Sequence, residues 1–180
     1  MIILIFPFLV LAVIGFTAVA VIHVASLLGA TYLFDHFLKF LGPAIFVVFL
    51  PTIFVMNRIT RDFKQKDVWR AALRGCPQWM RRAVWGVVGY AWFGFFVLPL
   101  LYGGGMESEA NKSRSMSGGL MIFYLIPAAV LYSATQVERF DANRKCLNGH
   151  HLSPLAKFCE ECGAPAVPDK TADLRSGSKI

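Results

Sequence analysis

The chain has 180 residues, 56% of them hydrophobic and only 16% charged, and its formal net charge is +7. Soluble domains carry roughly 25% charged residues. That deficit, with a mean hydropathy of +0.55, excludes an ordinary soluble domain and points to a membrane protein whose cations are concentrated in a few places.

Four uncharged runs predict four transmembrane helices, at about 2–28, 41–57, 83–106 and 115–137. The first is long enough to cross a hydrocarbon layer of about 30 Å with some tilt. A cleaved leader is not expected there. No Lys or Arg precedes the run, and its apolar length is about twice the 7–15 residues of a signal peptide. The second run carries Pro43 near its start and Pro51 inside it, so a kinked span is expected, its freed carbonyl re-satisfied by neighbouring helices. His23 lies within the first run, and no span contains Asp, Glu, Lys or Arg. An interhelical hydrogen bond is therefore the expectation for this histidine, ahead of a proton relay. Asp35 and His36 are adjacent and point different ways, which favours solvation over metal binding.

Orientation follows from the connection between the second and third runs. It holds Arg58, Arg61, Lys64, Lys66, Arg70, Arg74, Arg81 and Arg82 against Asp62 and Asp67. Positive charge is retained on the cytosolic side of short loops, so both termini are expected in the cytosol. Within this basic segment, 58–82, the residues Ile59, Phe63, Val68, Trp69, Ala72 and Leu73 recur at three- to four-residue spacing. That pattern predicts a helix lying in the headgroup plane with its cations toward anionic lipid. The connection Tyr102–Gly119, rich in Gly and Ser, is expected to be a flexible external loop. The polar tail, 166–180, is expected to be disordered.

Beyond the last run, Cys146, His150, Cys159 and Cys162 fall within one short stretch, 138–165. A C-x-x-C pair facing a second Cys/His pair across about eight residues can close a tetrahedron of ligands around Zn²⁺. Gly149 and Gly163 sit where tight turns would need relaxed backbone. His151 is a rival for the fourth position. In a reducing compartment such a cluster ligates metal more often than it forms disulfides. With all four positions filled by protein, the zinc would be structural. A redox reading of Cys159-Glu160-Glu161-Cys162 is disfavoured, because no βαβ pattern surrounds it and two acids flank the sulfurs.

The run Cys146, Gly149-His150, Pro154, Lys157-Phe158-Cys159, Cys162-Gly163-Ala164-Pro165 resembles the short zinc-ribbon tails attached to many bacterial membrane and regulatory proteins. The spans, with Arg74-Gly75-Cys76-Pro77-Gln78-Trp79-Met80, look like a bacterial four-helix membrane family to which no activity is attached. The resemblance implies a β-hairpin or knuckle module on an all-α membrane protein of the bacterial inner membrane.

Two function classes compete. One is a membrane-anchored interaction or regulatory protein whose ribbon recruits a cytosolic protein. The other is a membrane enzyme or transporter with the ribbon as an appendage. No His-Glu-x-x-His helix is present and no charged side chain lies within a span, so no catalytic residue is assigned and the first class is favoured. Nucleic-acid binding is not expected. Arg139, Arg144, Lys145 and Lys157 are balanced by Glu138, Asp141, Glu160 and Glu161, which removes the electrostatic footprint.

Overall fold

The computed structural model describes residues 2–61, 63–97, 109–142, 145–153 and 156–165. The architecture is helical: α1 (Ile2–Leu27), α2 (Tyr32–Thr60), a 3₁₀ turn (Gln65–Asp67), α3 (Val68–Ala72), α4 (Gln78–Phe96) and α5 (Glu109–Ala142). Three of these helices are long and apolar enough to cross a membrane, over Ile5–Leu27, His36–Thr60 and Asn111–Val137. α4 is not among them. Its 19 residues include Arg81 and Arg82 near the N-terminus, and the uncharged remainder, 83–96, would reach only about 21 Å at 1.5 Å per residue. The rest of the third expected span, 98–106, lies outside the described residues, as does the tail 166–180.

α1 ends in a Schellman motif. Gly29 takes a positive φ of 97°, the Ala30 amide donates to Ala25 O at 2.9 Å and the Gly29 amide to Ser26 O at 3.2 Å. A residue with a Cβ would be strained at that φ, so the glycine stops the helix where it stands. The chain restarts as α2 at Tyr32. Pro43 and Pro51 are accommodated inside α2, and Thr52 returns its hydroxyl to Val48 O at 2.8 Å.

α5 is the central element and packs against α1, α2 and α4. Tyr124, Ala129, Val130, Leu131, Ser117 and Ser133 are all buried on it. Close approach is written into small residues. A Cβ added at Gly15 of α1 would stand 2.3 Å from the Tyr124 ring, and Tyr124 passes over it to donate its hydroxyl hydrogen to Leu41 O of α2 at 2.7 Å.

Two expectations from the sequence are corrected. The segment 109–119, read as part of a flexible external loop, is the first third of α5. Its serines are not linker residues. Ser113, Ser115 and Ser117 are buried and hydrogen-bonded against neighbouring helices, and small side chains with a hydroxyl suit such helix contacts. Nor is the basic segment one continuous helix. α2 continues to Thr60, α3 is only five residues long, and Ala72, Leu73 and Cys76 are buried with Val84 of α4 and Ala129 and Val130 of α5. Protein contacts hold its turn at 71–76.

Candidate metal centre

Cys146, His150, Cys159 and Cys162 are brought together so that one ligand atom from each lies within 4.8 Å of all the others. Two turns present them. In the first, the Gly149 amide donates to Cys146 O and the Cys146 amide to His150 O, both at 3.0 Å, and Gly149 has φ of 83°. In the second, the Gly163 amide donates to Cys159 O at 2.9 Å and the Cys159 amide to Ala164 O at 2.8 Å, with Gly163 at φ of 67°. Both glycines therefore occupy left-handed backbone. Each turn is closed by a single antiparallel bridge, Lys145 with His151 and Phe158 with Pro165. No sheet forms among the described residues.

The geometry suits a tetrahedral ion. With metal–sulfur bonds of about 2.3 Å and a metal–nitrogen bond of about 2.0 Å, a tetrahedron has S···S edges near 3.8 Å and S···N edges near 3.5 Å. Cys146 Sγ stands 3.7 Å from Cys162 Sγ, and Cys159 Sγ stands 3.8 Å from His150 Nδ1. These sulfurs are thiols; none of the four cysteines is in a disulfide. The donor set of three sulfurs and one imidazole thus fits a metal ion that favours soft and borderline ligands.

His151 is not among the four clustered residues. Residue 150 turns its Nδ1 toward the sulfurs, whereas residue 151 pairs its backbone with Lys145 and its side chain is exposed. Glu161 Oε2 also approaches His150 Nδ1, at 3.4 Å, and Ser153 donates its hydroxyl to Glu160 Oε1 at 2.9 Å. The apolar support is minimal. Leu152 packs with Cys146, Cys159 and Ala164, while Leu147 and Phe158 are mostly exposed. Three or four small contacts cannot offset the ordering of some twenty residues.

The structure also shows what became of the other polar residues. His23 is buried and bonded at both ring nitrogens: Nδ1 to Ser117 Oγ at 2.8 Å and Nε2 to Tyr90 Oη at 2.7 Å. Ser117 donates its one hydroxyl hydrogen to Ser113 O at 2.6 Å, so it accepts from Nδ1–H, and Nε2 accepts from the Tyr90 hydroxyl. The expected interhelical hydrogen bond is therefore present, and it ties α1 to both α4 and α5. Ser26 with Ser113 (2.8 Å) and Arg114 Nε with Ser26 O (3.3 Å) extend the same seam.

Arg74 carries a role the sequence did not reveal. It was one of eight cations in a basic loop, yet it is only 8% exposed. Its Nη1 donates to Ile59 O at 2.8 Å and Ala71 O at 3.0 Å, and its guanidinium lies 5.0 Å from the Phe63 ring centroid. A cation on the last carbonyls of α2 and α3 complements both helix termini. Beside it, the Gly75 amide donates to Ser133 Oγ at 3.0 Å and the Cys76 thiol to Ala129 O at 3.1 Å. Only the Gly75-Cys76-Pro77 punctuation hinted at a tight approach.

No protein-family model, curated protein or solved structure matches this chain. Its class rests on its own residues: a helical protein with three membrane-length helices, consistent with an integral membrane protein. Near its C-terminus it carries a Cys₃His cluster able to hold a metal ion.

Proposed function

We propose that this is an integral membrane protein with four spans that displays a structural zinc ribbon in the cytosol, where the ribbon serves as an interaction or regulatory module. The observation that carries the reading is the closure of the Cys₃His set. Four candidate ligands converge within 4.8 Å, two of the pairs at tetrahedral spacing, and an ion held by all four would have no coordination position for water or substrate. Such a site organises a surface and performs no chemistry. Bound Zn²⁺ would supply the folding energy of residues 145–165, with Cys146, Cys159, Cys162 and His150 as its ligands.

The course of α4 supports a fourth span. The chain from Gly75, just ahead of α4, to Gly94 within it runs antiparallel to α5, with Gly75 against Ser133, Tyr90 near Ser117 and Gly94 against Ser115. Those contacts follow α5 for about 27 Å of rise, nearly the depth of a hydrocarbon layer. An even number of spans, with the basic loop inside, puts both termini in the cytosol.

The test uses the full chain in nanodiscs. One zinc per chain is expected by elemental analysis, with cobalt exchange giving the ligand-field bands of an S₃N tetrahedron. Reporter fusions at Gly104 and Ile180 should read outside and inside. A cytosolic protein captured by the zinc-loaded chain should be released by chelation and absent from a Cys159→Ser chain. Capture that persists without metal would remove the ribbon from the function.

A further inference from the structure

We infer that the face formed by α3 and the first turns of α4 is a binding site for the phosphate headgroup of an anionic phospholipid. Trp69 of α3 and Trp85 of α4 meet edge to face, with ring centroids 6.5 Å apart and planes at 68°. They stay 44% and 56% exposed. Sequence spacing places cations around this pair. Arg81 and Arg82 lie four and three residues before Trp85 on the same helix, within one turn of it. Lys66 and Arg70 flank Trp69, and all four cations are exposed. None forms an ion pair with a described residue.

This combination distinguishes the face from the rest of the basic segment. Arg74 is consumed internally by helix carbonyls, whereas these four cations are left with no protein acceptor among the described residues. Indole rings settle at the junction of acyl chain and headgroup, apolar body inward and N–H toward water. Guanidinium groups bind phosphate oxygens with two parallel hydrogen bonds. The site lies at the end of the bundle where the membrane-length α2 terminates and α4 begins, the level at which lipid phosphates are met. A phosphodiester seated over the indole pair would therefore find Arg81 and Arg82 within one helical turn of Trp85, with Lys66 and Arg70 close to Trp69 in the chain. The inference rests on the membrane reading of the helices and is independent of zinc.

The experiment uses full-length protein with Trp79 and Trp92 replaced by Phe, leaving Trp69 and Trp85 as reporters, in bilayers of neutral phosphatidylcholine. Brominated phosphatidylglycerol at low mole fraction should quench their fluorescence more than brominated phosphatidylcholine at the same fraction. Arg81→Gln with Arg82→Gln should lower the apparent preference about twenty-five-fold, taking about fivefold per cation at an anionic surface. Arg61→Gln with Lys64→Gln removes the same charge elsewhere and should change it far less. Equal quenching by the two lipids, or equal loss in the two double variants, would overturn a defined site. Relief of quenching by millimolar pyrophosphate would reassign it to a soluble phosphate ligand. If the Arg81/Arg82 variant fails to insert, the unmodified protein decides: a preference unchanged between 0.1 and 1 M salt refutes the proposal, since screening shortens from about 10 to about 3 Å. Zinc content, measured in every sample, separates failure here from failure of the ribbon.

Discussion

The helix bundle and the Cys₃His turns are held together by opposite means. The bundle seats buried apolar residues along α5 and ties its helices with short hydrogen bonds at His23, Ser26, Tyr124 and Ser133. The terminal turns bury one leucine among two cysteines and an alanine, and four of their side chains form a cluster able to hold a metal ion. The first region is held by contacts between its own helices. The second has too few apolar contacts to balance the chain entropy of its own turns, and on the proposed reading an ion supplies the difference. The two halves should therefore fail under different insults.

The largest effect should come from metal. Chelation, or Cys159→Ser, should unfold residues 145–165 completely, since structural zinc contributes about 10–16 kcal/mol in apparent terms to such modules. The measurement is proteolysis of the tail alongside helical circular dichroism, with the tail cleaved and the helix signal unchanged. His150→Ala should behave like Cys159→Ser, and His151→Ala like the parent. Equal behaviour of the two histidine variants would break the assignment of His150.

Gly75→Ala should damage the bundle and leave zinc in place. Its Cβ would stand 2.4 Å from Ser133 O, a backbone atom that cannot step aside, so a loss of about 1–3 kcal/mol is expected in detergent unfolding. Gly89→Ala provides the contrast. Nothing lies within 4 Å of its added Cβ, and replacing a helical glycine should be neutral or stabilising by about 0.5–1 kcal/mol.

A smaller effect is expected at the polar seam. In a cycle of His23→Ala and Tyr90→Phe, the coupling should be about 0.6 kcal/mol, the mean for hydrogen bonds between membrane helices. A coupling of zero would mean that α4 is pinned elsewhere.

The finest probe is Cys76. Burial pushes its thiol up to about 11, against smaller opposing effects from Ser133 and Arg81. Because the folded pKa is raised, the folded form holds its proton more tightly than the unfolded chain. This contribution to stability is complete below about pH 9 and fades as pH rises from there toward about 11. At pH 7 maleimide should label Cys76 only after unfolding. Rapid labelling of the native protein would show that the 73–76 turn is not docked on α5.

How much could be read in advance differs between the regions. The Cys/His cluster was legible because its members are local: four residue types at fixed spacing, with glycines at the turns, leave little for distant contacts to decide. The choice between His150 and His151 was not, since adjacent residues share one spacing and only the backbone bridge orients them. The long apolar helices were legible because a run such as Ile5–Leu27 has no alternative in lipid. The serines of 109–119 misled because Gly and Ser mark a linker in water but a close helix contact in a bundle.

The sequence by itself thus determined three of the four expected membrane-length helices, the concentration of charge in one connection and the gathering of a Cys/His cluster able to hold a metal ion. Each depends on residue types within a single short window. Tertiary structure alone decided which of eight cations is buried, that Arg74 caps two helices, that Gly75 and Cys76 dock on Ser133 and Ala129, and that Trp69 meets Trp85. Those outcomes depend on residues far apart in the chain, and periodicity carries no information about which helix face will meet which partner.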